Sequence, residues 1–155
     1  MRKLSFVVLI LLLSVFYVRA DTEGPLQITA PAGWTVNYES SNGVQAYKLT
    51  YPVKKLFVMG FVYWDNLGDV KEISRLMDKT STHCYESMSR IVKTNKGEFR
   101  NPSFFGNYVE CTLAPTMTQI NFEFSDGTGI WMGEYMGSES NSKKALEMLK
   151  GIRKK

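Results

Sequence analysis

The sequence predicts an α+β fold: an antiparallel sheet sandwiched by helices, in the order strands, helix, strands, helix. Three observations carry the expectation. Short alternating apolar and polar segments, each closed by Gly, Asn, Asp or Pro, occupy residues 26–64 and 97–137. Between them, from Asp69, apolar residues recur every three or four positions. And LFVMGFVYW (56–64) is apolar on both faces, so it belongs inside a sheet covered from both sides.

Residues 1–20, MRKLSFVVLILLLSVFYVRA, have the layout of a secretory signal. Arg2 and Lys3 precede an apolar run from Leu4 to Val18, and the small residues Val18 and Ala20 place a cut before Asp21. The run is shorter than the roughly 20 residues a spanning helix needs. Retention as an anchor is the competing reading, because Tyr17 and Arg19 are imperfect neighbours for a cleavage site. No cysteine stands near the cut, which excludes the acylated cysteine of a bacterial lipoprotein. The expected product is an exported, periplasmic or secreted protein with no stable membrane insertion once the signal is gone. Residues 21–155 then suit a single domain with one core.

LQIT (26–29) reads as a short strand, followed by a turn at Pro31-Ala32-Gly33. In WTVNYES, Trp34, Val36 and Tyr38 share one face of a strand. Asn42-Gly43 marks a tight hairpin, because both residues tolerate positive φ, and VQAYKLTY (44–51) returns beside it. After strand 56–64, Asp69 and Glu72 form a capping box. Val70, Ile73, Met77, Thr80, Cys84, Met88 and Ile91 then make one stripe of a helix about six turns long, ending before Asn95-Lys96-Gly97. GEFRN (97–101), FFGNYVECTL (104–113), TQINFEFS (118–125) and IWMGEYMG (130–137) read as strands, the last two joined by Asp126-Gly127-Thr128-Gly129. Residues Ser138 to Asn141 offer caps for a closing helix with the stripe Ala145, Leu146, Leu149 and Ile152.

This order, with Pro31, Gly33 and Trp34 at the first hairpin, Trp131 and Gly133 in the last strand and the closing helix 145–152, resembles the PsbP-like superfamily, which includes the Ran-binding Mog proteins. The resemblance spans nearly all of residues 21–155 and looks like that of a small bacterial exported member. It implies an antiparallel sheet between helices and proteins that bind other proteins or assemblies rather than turn over substrates. No family-wide functional residue maps onto this chain, and a shared fold does not transfer function.

Charge narrows the partners. The 19 basic and 15 acidic residues give +4, but Arg2, Lys3 and Arg19 sit in the leader. Without it, 16 basic residues face 15 acidic ones. Six of the basic residues crowd into 143–155, as a helix end and tail. A nucleic-acid groove needs cations across a face, so none is expected.

The only histidine, His83, adjoins Cys84. Adjacent helical residues point about 100° apart, so the two cannot work face to face as nucleophile and base. Cys84 lies on the apolar stripe, and Cys111 lies on the Val109–Leu113 strand face, which also needs cover. In an exported chain a Cys84–Cys111 disulfide is the expected state, with buried free thiols the alternative. One His and two Cys fall short of a structural zinc site, and Met117, Met132 and Met136 read as core rather than copper ligands, so neither metal nor cofactor is expected. Gly127-Thr128-Gly129 lacks the Lys-Ser/Thr and the helix of a phosphate loop. Glu110, Glu123 and Glu134 lie on neighbouring strands; they are general acid–base candidates, or else acids on a wet sheet face. Trp34, Tyr38, Tyr47, Trp64, Trp131 and Tyr135 are the candidate interaction surface, against the plainer reading that they fill the core. The function expected is non-enzymatic: an exported binding or accessory domain with a protein or envelope partner. The alternatives are an immunity or inhibitor protein against an exported toxin or hydrolase, and a small hydrolase of unrecognised type.

Overall fold

Asn42 and Gly43, with φ of 52° and 79°, turn the chain between its first two long strands in the computed structural model, which describes residues 23–51, 56–64, 91–113 and 116–155. Both turn residues are left-handed, which matches the twist of a two-residue hairpin. The elements are β1 (Leu26–Gln27), β2 (Thr35–Ser41), β3 (Val44–Tyr51), β4 (Leu56–Trp64), β5 (Ile91–Arg100), β6 (Phe105–Leu113), β7 (Met117–Ser125), β8 (Ile130–Ser138), helix α1 (Glu139–Gly151) and β9 (Arg153–Lys154).

Seven strands form one antiparallel sheet in the order β2-β3-β4-β8-β7-β6-β5, and β1 pairs with β9 in a second, two-stranded sheet. β4 is interior, as its two-faced apolarity requires. One face of the large sheet carries Leu49, Tyr47, Ile120, Phe122, Phe124, Trp131 and Tyr135, and it packs with Ala145, Met148 and Leu149 of α1 and with Leu26, Ile28, Ala30 and Trp34. Val109, Cys111 and Leu113, with Ile91, form a smaller cluster on the opposite face.

The expected sandwich of a sheet between helices is overturned. The described residues are mostly strand, in two antiparallel sheets, and they hold a single helix, at the C-terminal end of the chain. The helix expected from Asp69 falls on residues 65–90, outside the described ones, as do His83 and Cys84. Its expected last residues, Ile91 to Thr94, instead open β5. Ile91 continues the spacing set by Met88, but Ile, Val and Thr are β-branched and fit a pleated backbone better than a helix. Lys93 and Thr94 accordingly lie opposite Thr112 and Cys111 of β6.

Local chemistry positions the closing elements. The side chain of Asn101 accepts from the backbone N–H groups of Ser103 and Phe104 at 2.9 Å each. Its amide donates to Lys150 O at 3.2 Å and Ile152 O at 3.0 Å, so one residue both shapes the β5–β6 turn and satisfies carbonyls at the end of α1. Tyr47 Oη accepts from the Leu26 N–H at 2.9 Å and donates to Glu23 O at 3.2 Å, tying the N-terminal segment to β3.

Candidate functional site

Helix α1 buries Ser142, Ala145, Met148 and Leu149 against the sheet. Lys144, Glu147, Met148 and Gly151, spaced three and four apart, follow the flank of the helix beside that buried stripe. Opposite them runs the segment Thr29, Pro31, Ala32, held by a turn in which Trp34 N–H donates to Pro31 O at 3.0 Å. A groove of about 360 Å³ opens between the two. Its walls include the apolar Pro31, Ala32 and Met148, with Thr29, Lys144 and Glu147 as the polar groups. Gly151 leaves open space in the lining, since a Cβ built there would meet nothing within 4 Å. A concave, mainly apolar cleft with a few polar groups has the composition of a binding site.

The aromatic residues expected at an interaction surface lie elsewhere. Trp34, Tyr47, Trp131 and Tyr135 are core residues, the most exposed of them, Trp34, at only 7%. Trp131 sits at the centre, with ring centroids 5.4 Å from Tyr47, 4.9 Å from Tyr63 and 6.2 Å from Phe124. Trp34 stacks on Tyr135 at 6.3 Å with the planes 2° apart. Tyr38 is half-buried beside Tyr47, and the side chain of Trp64 lies outside the described residues. The physical reason is that the polar tips find backbone partners inside the fold. Tyr135 Oη donates to Ser138 O at 2.9 Å, as Tyr47 does to Glu23 O. Burial pushes both phenols up to about 12.

The register also separates the three acids. Glu123, opposite Met132, and Glu134, opposite Asn121, share the face of Cys111. Glu110, opposite Ile120, is on the other face, where Ser142 Oγ lies 3.0 Å from its Oε1. Glu123 is 1% exposed, which corrects the expectation of acids on a wet face. Met117, Met132 and Met136 share that same face, Met117 partly in solvent. Among the described residues, no three His, Cys, Asp or Glu side chains gather as metal ligands, and no helix is long and apolar enough to cross a membrane.

Cys111 is fully buried, with Thr94 Oγ1 at 3.8 Å from its Sγ. No described cysteine is a free thiol. The Gly127-Thr128-Gly129 segment is a hairpin loop between β7 and β8, closed by Ser125 Oγ, which donates to Gly129 O at 2.6 Å and accepts from Gly127 N–H at 2.9 Å. Asp126 Oδ1 accepts from the Thr128 N–H at 3.0 Å and hydroxyl at 2.6 Å.

Sequence reasoning did not identify the groove, because its other wall, Thr29 to Ala32, is brought beside α1 only by the fold. No protein-family model matches the chain, and no curated protein is detectably similar to it.

Proposed function

We propose that this is an exported, non-enzymatic binding domain whose groove between Thr29–Ala32 and α1 receives an apolar side chain of a protein or envelope partner. The observation that carries the reading is the groove itself: a mainly apolar pocket between a turn segment and a helix, with Lys144 and Glu147 placed to meet polar groups of a partner. Several side chains that could have served chemistry have structural work instead. Asp126 shapes a turn and holds Lys154, and Glu110 meets Ser142. Export rests on the basic and apolar layout of residues 1–20. Kinship with the PsbP-like superfamily stays part of the proposal, resting on Pro31, Gly33, Trp34, Trp131 and Gly133.

Crosslinking in the envelope fraction, with wild type beside Gly151→Leu, tests the groove. The leucine fills open space at a helical position, so the melting temperature should hold while the crosslinked partner is lost. A partner crosslinked equally by both proteins would overturn the groove as the site. Loss of a purified catalytic activity in Glu134→Gln, with stability unchanged, would overturn the non-enzymatic reading.

A further inference from the structure

The strand order leaves β5 at one end of the seven-stranded sheet, paired with β6 on its inner side. β5 is ten residues long and contains no proline, and Val92 through Lys96 are five consecutive exposed residues, Val92 at 66%. An edge of this kind presents unpaired N–H and C=O groups in the geometry of a further strand. Natural edges are blunted by short length, proline, lysines or bulges. β5 is long and free of proline, and its Lys93, Lys96 and the irregularity at Ile91/Lys93 restrict which strand it can accept to one of complementary charge.

We propose that the occupant of this edge is β5 of a second copy of the chain, paired antiparallel about a two-fold axis through Gly97. The charge pattern selects both partner and register. A symmetric antiparallel pairing places residues of one sheet face opposite residues of the same face. Lys96 lies opposite Val109 and Glu98 opposite Asn107, so both belong to the face of Cys111, and Gly97 between them belongs to the other. With Gly97 on the axis, Lys96 of each copy stands opposite Glu98 of the other, Thr94 stands opposite Arg100, and Asn95 opposite Phe99. Two opposite-charge pairs form at once.

Neighbouring registers do worse. An axis on Lys96 sets the two lysines against each other, and an axis on Glu98 sets the two glutamates together, with Lys96 against Arg100. An axis on Asn95 pairs Lys96 only with Thr94. An axis on Phe99 pairs Glu98 with Arg100 but brings Lys96, close to the axis, against Pro102, which has no N–H to give. The Gly97 axis meets Pro102 only at Val92, near the end of the ladder. Among the described residues neither Lys96 nor Glu98 has an ion-pair partner within its own chain.

Gly97 suits the axis for a second reason. A Cβ there would collide with the ring of Tyr108, so that ring lies across β5 at this residue. The two-fold axis then brings the two Tyr108 rings to either side of itself, adding apolar contact to the ladder. This self-pairing does not use the groove and stands or falls separately from it.

Sedimentation of the purified protein over a range of concentrations tests the proposal, with Lys96→Glu, Glu98→Lys and the double exchange beside wild type. Wild type should show a monomer–dimer equilibrium. Each single reversal sets like charges opposite each other twice and should raise the dimer Kd roughly tenfold or more. The double exchange should restore it, because opposite charges again face each other. All these side chains are exposed, so melting temperatures measured below the dimer Kd should be alike, while above it wild type and the double exchange should melt higher than the single reversals. A wild type that stays monomeric at the highest concentrations, or a dimer insensitive to both single reversals, would overturn the proposal. So would a double exchange that fails to recover the dimer. Monomeric wild type whose edge instead captures a foreign peptide, in a manner lost in Lys96→Glu, would assign the edge to another partner and overturn the second copy as occupant.

Discussion

Asp126, in the turn between β7 and β8, holds the ammonium of Lys154 at 2.7 Å, joining the middle of the large sheet to the small strand β9 that closes on β1. Burial alone would raise the Asp126 carboxyl. The bonds from Lys154 Nζ and from the Thr128 hydroxyl and N–H outweigh it and lower the pKa from an ordinary 3.8 to about 2.

A carboxylate depressed by folding contributes stability above its unfolded pKa and loses it as the pH falls through its folded value. Wild type should therefore exceed Asp126→Asn in stability by about 1 kcal/mol near neutrality, since Lys154 is largely in solvent and exposed pairs are worth little. That margin should hold down to about pH 4 and shrink between about pH 4 and about pH 2. Urea unfolding of both proteins across this range measures it. A margin unchanged at about pH 2 would show that the carboxylate is not what stabilises the turn.

Asn101 joins three elements through one side chain, and its two ends do different work. Asn101→Ala should cost about 2 kcal/mol, as the N–H groups of Ser103 and Phe104 lose their acceptor and Lys150 O and Ile152 O lose a donor. Arg153 Nη1 also donates to both carbonyls, which limits the loss. Asn101→Asp keeps the acceptor but turns a carboxylate oxygen towards two carbonyl oxygens. It should be at least as destabilising as alanine. An aspartate variant as stable as wild type would show that the helix-end bonds contribute nothing.

What the sequence made legible was local. Asn42-Gly43 announced its hairpin because the turn needs positive φ at both residues, and the alternation of Ile120, Phe122 and Phe124 announced a buried strand face. β3 and β4 run over the expected residues. What failed depended on partners distant in sequence. Ile91 kept the helical spacing of Met88, and its β-branched neighbours Val92 and Thr94 were a local hint of the strand that its pairing with Leu113 makes plain. Tyr47 and Tyr135 were interface candidates because Tyr and Trp are enriched at interfaces. The plainer reading that they fill the core holds for both, their hydroxyls meeting the carbonyls of Glu23 and Ser138 inside the fold. The groove and the β5 edge depend on which segments lie side by side, and residue spacing does not encode that.

The disulfide expected between Cys84 and Cys111 is a further proposal, since Cys84 lies outside the described residues. Burial of Cys111 at the centre of a small apolar cluster, and its not being a free thiol, support it. Reduction should lower stability by about 2–4 kcal/mol, and the Cys84→Ser, Cys111→Ser double variant should be equally weak and insensitive to reductant. Alkylation under non-reducing conditions, followed by mass measurement, gives the thiol count directly. Two alkylated cysteines in the unfolded, unreduced protein would rule the bond out.

Two glycines on neighbouring strands should respond differently to the same added methyl group. At Gly106 a Cβ would lie 2.6 Å from the backbone oxygen of Glu123 and 2.5 Å from the buried ring of Phe99. The oxygen belongs to β7 and cannot withdraw without breaking the β6–β7 register, so Gly106→Ala should cost about 2–3 kcal/mol. At Gly97 the obstacle is the end of the Tyr108 side chain, half-buried at the sheet margin and able to rotate into solvent. Gly97→Ala should therefore cost about 1 kcal/mol or less in monomer stability. If Tyr108 moves as expected, its ring resonances should shift towards random-coil values in the NMR spectrum of Gly97→Ala alone. Equal costs at the two sites would mean that β7 yields as easily as a tyrosine ring, and the sheet would then be far softer at its centre than its buried residues imply.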